Sequence, residues 1–176
     1  MAQFSAITGG SELSDYTQSH STLIIDDCNH NVNGKAEIFE LISENGAKGC
    51  EVDMGPTLSP YVKSATRTFV LNSNDSELEI KDILTAENGS DHILTWNLIT
   101  RAHPRIESDS SIILSKKGHS MRLEIISKDK VTPMVESANT DKPYDSPNYG
   151  ASRVGFKLNL PAGETCEIIV KLTTLE

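Results

Sequence analysis

No apolar run in this sequence approaches the roughly 18 residues of a membrane-spanning helix; the longest uninterrupted stretches are of the order of Leu23-Ile24-Ile25. Aromatic residues are scarce, at 5%. Cysteines number 3, an odd count at positions 28, 50 and 166, and their spacing demands no disulfide. Positive charge is missing from the first third: residues 1–60 hold two Lys/Arg against nine Asp/Glu, so −7 of the net −9 sits there. Such a surface repels nucleic acid and anionic membrane. It also repels polyanionic polysaccharide unless a local basic cleft overrides the field. Met1 to Asp15 has neither the basic start nor the apolar run of a signal peptide. The expectation is a cytoplasmic chain, or one separated from its natural N-terminus. Also lacking are a Gly-x-Ser-x-Gly nucleophile elbow, a phosphate-cradling glycine loop and a paired-carboxylate constellation. Asp26 and Asp27 are adjacent at the end of a strand pattern and point apart. Helical periodicity is absent over any useful length.

What remains is strand. At 176 residues, 37% hydrophobic, the chain makes one domain with a real core. Residues 1–18, with Gly9-Gly10 and many Ser and Thr, read as an N-terminal arm. From residue 19 to 176 apolar residues recur with period 2, and turn residues fall every 8–12 positions. Ala36, Ile38 and Ile42 fall on one side of a strand; Asn45-Gly46 turns the chain; Gly55 to Pro60 is expected as a loop. Tyr61 to Leu71 is a long strand, and Ile93 to Thr100 holds the single tryptophan, Trp96. Lys116-Lys117-Gly118-His119 predicts a hairpin with glycine at a positive-φ position. The end is the cleanest signal: Val154, Phe156, Leu158 and Leu160 alternate inward, and Cys166, Ile168, Val170 and Leu172 alternate back. A one-residue slip would wet that whole set, so register is fixed. The prediction is all-β: an antiparallel two-sheet sandwich of about a dozen strands.

Four places carry chemistry. His20 sits just ahead of the apolar strand 22–25, on a loop side that suits a titratable group at a surface cleft; the plainer reading is an ordinary exposed histidine. Asp26, Asp27, Cys28, His30, Cys50 and Asp53 have metal-ligand chemistry, but Cys28-x-His30 is too tight for the usual zinc pairs and no CxxC accompanies it. No metal or other cofactor is therefore assigned, zinc on Cys28, His30 and Cys50 being the one alternative kept. Arg101, His103 and Arg105 lie in the carboxylate-free stretch 93–106, suited to sugar carboxylates or sulfates; the plainer reading is a solvated connection. Tyr144, Asn148, Tyr149 and Arg153 belong to a long polar loop able to stack on and hydrogen-bond a sugar ring, or simply to pack on its own sandwich.

Four segments together resemble the C-terminal β-sandwich of the heparinase II/III-like polysaccharide lyases. Ser19-His20-Ser21-Thr22-Leu23-Ile24-Ile25-Asp26 resembles that family's His-Asn-Thr-Leu/Val strand, with Ser21 where the family usually has Asn. Lys63 to Phe69 resembles the strand after its Lys-rich turn. Leu94 to Thr100, and Pro147-Asn148-Tyr149-Gly150 through Arg153-Val154-Gly155-Phe156, complete the set in order. The resemblance implies a two-part parent, in which an (α/α) toroid precedes the sandwich and the cleft lies between them. It implies β-elimination on a uronic-acid polysaccharide, heparan-sulfate-like or alginate-like. The toroid supplies a catalytic Tyr and an Asn or His, and the sandwich supplies a histidine that maps onto His20. Such a parent is periplasmic or secreted, and a sandwich without its toroid is expected to be inactive. Expected partners are that toroid and an acidic polysaccharide, with no nucleic acid. The reading from a different class is a free-standing carbohydrate-binding or structural module.

Overall fold

A computed structural model describes residues 16–139 and 148–175. A single 3-10 turn, Thr17–Ser19, leads into β1 (Leu23–Ile25). Eleven strands follow: β2 (Glu37–Glu44), β3 (Ala47–Asp53), β4 (Val62–Leu71), β5 (Glu77–Ala86), β6 (His92–Thr100), β7 (His103–Ser108), β8 (Ser111–Lys116), β9 (His119–Ser127), β10 (Thr132–Ser137), β11 (Ser152–Leu160) and β12 (Thr165–Leu175). They form a small sheet in the order β1-β6-β11-β10 and a large one in the order β2-β3-β4-β5-β12-β9-β8-β7. Every pairing is antiparallel. This is the all-β sandwich that the alternation predicts.

The inward sets meet between the sheets. Leu94, Trp96, Val154, Phe156, Leu158 and Leu160 come from the small sheet. Leu84, Ile112, Leu123, Ile168 and Val170 come from the large one. Each such side chain, fully buried, contributes about 1.5–3 kcal/mol relative to exposure. Two hairpins close on type I′ geometry, Asn45 and Gly46 at φ 50° and 82°, Lys117 and Gly118 at φ 51° and 81°. That turn matches the right-handed twist of the strands it joins.

Two local expectations are corrected. Gly55–Leu58 makes one turn of helix rather than a plain loop, with a proline in its first positions, where the missing N–H costs nothing. In β2 the ladder skips Phe39, because Ile38 pairs Val52 and Glu40 pairs Glu51. The extra residue flips the phase. Ile38 therefore shares its face with Leu41, not with Ile42.

Eight strands cannot be covered by four. The core-facing side of β2 protrudes past the small sheet, leaving Ile38 63% and Leu41 80% exposed.

Candidate functional site

The end of the small sheet where β6 finishes and β11 begins collects most of the chemistry. Thr100 pairs Ser152 there. On β6, Leu94 and Trp96 face the core, so Thr95 and Asn97 face away, and both are nonetheless buried. An amide so placed must find partners, since an unsatisfied buried polar group costs about 1–3 kcal/mol. Asn97 Nδ2 donates to the carbonyls of His20 at 2.6 Å and Gln18 at 3.2 Å. Its Oδ1 accepts from Arg153 Nε at 2.9 Å. The Asn97 backbone N–H donates to Thr22 O at 2.9 Å. Ser21 Oγ accepts from Ile99 N–H at 3.1 Å. Thus Ser21 has a job of its own: its hydroxyl extends the attachment of this segment to β6. His20 closes the 3-10 turn, its N–H donating to Thr17 O at 3.1 Å, and its side chain is exposed.

Arg153 continues the network. Its Nη1 reaches Glu136 and its Nη2 reaches Asp27, both at 3.4 Å, and Lys157 lies 3.7 Å from Asp27. Asp27 and Asp26 both have left-handed backbone, at φ 55° and 52°. Their carboxylates part company: Asp26 turns to His92 and to the N–H of Ile93.

Arg101 lies at the same end of the sheet, donating to Asn148 Oδ1 at 3.3 Å. Asn148 N–H in turn donates to Asn139 Oδ1 at 2.7 Å, which ties together the two flanks of the long loop. Tyr149, beside it, is 75% exposed. Tyr144 lies outside the described residues. His103 and Arg105 separate from Arg101. They pair Ser115 and Ile113, while their neighbours Pro104 and Ile106 pair the core residues Leu114 and Ile112. Both therefore point from the outer face of the large sheet. There the positive charge of Arg105 helps hold the Glu107 carboxyl below its ordinary range, after the larger effect of the Arg122 hydrogen bond.

His30 supports the site from beneath. Its N–H donates to Thr17 Oγ1 and its Nε2–H to Leu23 O, both at 2.7 Å. Burial pushes its imidazole below the ordinary value of 6.5, and the charges of His20 and Arg67 add to the push. Among the described residues no group of three His, Cys, Asp or Glu side chains converges as a metal site.

The opposite end of the small sheet holds a constellation that sequence reasoning missed. His92 Nδ1 lies 2.6 Å from Asp26 Oδ2, His92 Nε2 lies 3.3 Å from Ser90 Oγ, and Tyr61 meets the imidazole edge-on at 5.3 Å. Burial raises the Asp26 carboxyl, but the Ile93 N–H and His92 together lower it below 3.8. The group ties the turn after β1 to the start of β6. Asp26 and His92 are 66 residues apart, and no local pattern announces the pair.

No protein-family model and no curated protein matches this sequence. Solved structures do match its fold. A heparinase III, the BT4657 gene product, superposes with a TM-score of 0.71 at 13% identity over 96% of this chain and 27% of that one. The heparan sulfate lyase HepC from Pedobacter heparinus gives 0.72 at 14% identity, again over 96% and 27%. A further heparinase III gives 0.66 at 11% identity over 88% and 23%. This chain therefore spans about a quarter of the length of these enzymes. At such identities the likeness is one of fold, and at that level it bears out the resemblance read from the four segments.

Proposed function

We propose that this chain is the β-sandwich domain of a polysaccharide lyase that cleaves a uronic-acid-containing polysaccharide by β-elimination. The observation that carries the reading is His20. The histidine that the sequence resemblance singles out is exposed at one end of the small sheet, and the buried Asn97 clamps its backbone, in a fold shared with heparinase III over 96% of the chain. β-Elimination needs a base for the proton beside the carboxylate, neutralisation of that carboxylate, and an acid for the leaving oxygen, all within hydrogen-bond reach. His20 supplies one titratable group. The others belong to a helical domain facing this end, without which the chain is inactive. The polysaccharides concerned lie outside the cell, so the parent works in the periplasm or beyond.

The test is ultraviolet absorbance of the unsaturated sugar end, followed with several uronic-acid polysaccharides. The chain alone is expected to give none. Supplied with the helical domain of its parent it is expected to give a signal, and His20→Ala to lower kcat by about 10²–10⁴ with KM little changed. A signal from the isolated sandwich that survives His20→Ala overturns the reading.

Tyr149 favours a second reading. An aromatic ring left 75% exposed beside the Arg101–Asn148 pair suits stacking on a sugar, as in a carbohydrate-binding module. Calorimetric titration with neutral and acidic oligosaccharides separates the two, since a binding module gives heat without any helical partner.

A further inference from the structure

β6 mixes apolar residues with His92, Thr95 and Thr100, and Asn97 is its one amide side chain, 1% exposed. A side-chain amide has two N–H donors and one acceptor oxygen. Here every one of these capacities is used, and used across long sequence separations. The two carbonyls that accept from Nδ2 belong to Gln18 and His20, 79 and 77 residues away. The guanidinium that donates to Oδ1 belongs to Arg153, 56 residues away on β11. One amide thus joins the backbone on either side of residue 19 to a buried cation. Gln18 adds a second hold, its Nε2–H donating to Asp27 O at 3.1 Å. Asp27 in turn faces Arg153 at 3.4 Å, so the connections close into a ring.

We propose that Asn97 is the positioning residue for His20. It fixes the backbone from which the imidazole projects, and through Arg153 it locks that backbone to β11, so that His20 is presented in one orientation at this end of the sandwich. Aspartate at this position keeps the acceptor for Arg153 but loses both donors, and it sets a carboxylate against two carbonyl oxygens. Alanine loses all three bonds. The two substitutions therefore separate the hold on His20 from the hold on Arg153. Ser21 is the internal contrast: among the described residues its hydroxyl bonds Ile99 N–H and no member of the clamp, so Ser21→Ala leaves the clamp in place. What the fixed geometry is used for rests on the elimination reading above; the geometry itself does not.

The experiment is nuclear magnetic resonance on the whole chain. In the wild type the two Asn97 Nδ2 protons are expected to exchange slowly and to show contacts to Gln18 and His20. In both Asn97→Asp and Asn97→Ala the His20 amide, which donates to Thr17 O, is expected to exchange at least about 10-fold faster, and the His20 ring signal to move toward its unfolded position. Amides in the β6–β11 ladder keep their rates. The Arg153 Nε–H signal persists in Asn97→Asp and is lost in Asn97→Ala, a split that general loosening of the sandwich does not produce. In Ser21→Ala the His20 amide changes by less than about 3-fold. An unchanged His20 ring and amide in both Asn97 variants overturns the proposal. So does a wild type whose Nδ2 protons exchange freely, which decides the matter even where the variants do not fold. With the helical domain supplied, Asn97→Asp is expected to lower kcat and leave KM. A chain that passes the resonance tests but shows no elimination activity even with the helical domain supplied removes the proposed function and leaves the positioning role standing.

Discussion

Arg67 and Asp82 form a two-pronged ion pair inside the sandwich, Nε to Oδ1 at 2.7 Å and Nη2 to Oδ2 at 3.0 Å, with side-chain exposures of 6% and 0%. The two residues sit directly opposite each other on β4 and β5. The guanidinium also lies 5.9 Å from the Phe69 ring centroid and 6.0 Å from that of Trp96 on the facing sheet. Taking two charges out of water is costly, and the attraction between them offsets that cost only while both remain. Arg67→Met alone, or Asp82→Leu alone, is expected to destabilise by about 3–5 kcal/mol, because each leaves a buried charge unpaired. The double variant should recover most of the loss. Denaturant unfolding of all four proteins checks this; additive losses in the double variant would show that the pair is not a closed unit.

Cysteine chemistry divides by depth. Cys28 is exposed and Cys166 is buried. Burial first, and then the charges of Asp129 and Asp82, push the Cys166 thiol from an ordinary 9.0 to about 11. Its thiolate is thus about 100-fold scarcer than that of an ordinary thiol at neutral pH, and the thiolate is the reactive form. A disulfide reagent is expected to modify Cys28 quickly in the folded protein and to reach Cys166 only on unfolding. Cys50, half-buried on β3, is expected to react more slowly than Cys28. Cys28→Ser removes the fastest phase, and a fast phase that survives Cys28→Ser combined with Cys50→Ser would contradict the burial of Cys166.

How far the sequence was legible follows from where each element's partners lie. β11 and β12 were plain because their inward residues alternate without interruption, and Val154, Phe156, Leu158, Leu160, Cys166, Ile168 and Val170 are all buried. β7 and β10 gave no such signal: most of their residues are exposed, each contains a proline, and both are edge strands. The phase of β2 was lost at Phe39, since a bulge obeys the partner strand rather than the local pattern. His20 stands out in the sequence through the family motif it resembles, but the amide that holds its backbone does not. Asn97 is 77 residues away, and its local trace is a single amide beside the core tryptophan of β6. The grouping of Arg101 with His103 and Arg105 failed to persist for a similar reason: the chain turns between them, and β7 carries the last two to another face.

The overhang of β2 gives a prediction about self-association. The bulge sets Ile38 and Leu41 together on the uncovered face of an edge strand, at 63% and 80% exposure. On the other face the same edge carries Glu37 and Glu40 opposite Asp53 and Glu51. Exposed apolar edges template association, and like charges oppose it. Ile38→Lys with Leu41→Lys is expected to lower light scattering at high protein concentration and high salt, where the carboxylates are screened. Because both positions are exposed, each change should alter stability by no more than about 0.5 kcal/mol. Scattering that is the same for both proteins at every salt concentration would clear this edge of any role.

His30 gives the pH prediction. Burial holds its imidazole neutral, with the charges of His20 and Arg67 in support, against the opposing pull of the hydrogen bond that Nε2–H donates to Leu23 O. In the unfolded chain the same group titrates near its ordinary 6.5. Below that value the unfolded state binds a proton that the folded state resists, so stability rises with pH through this window and is lost as the solution is acidified. The loss continues until the pH reaches the lower folded value and stops there. His30→Gln keeps a side-chain donor in reach of Leu23 O and removes the titration. It is therefore expected to be less stable than wild type near pH 7, through imperfect packing, and to close part of that gap by about pH 5. Denaturant midpoints measured across that range for both proteins decide the matter. A wild-type curve with no steeper acid slope than the variant would mean that His30 takes up its proton as readily in the fold as out of it.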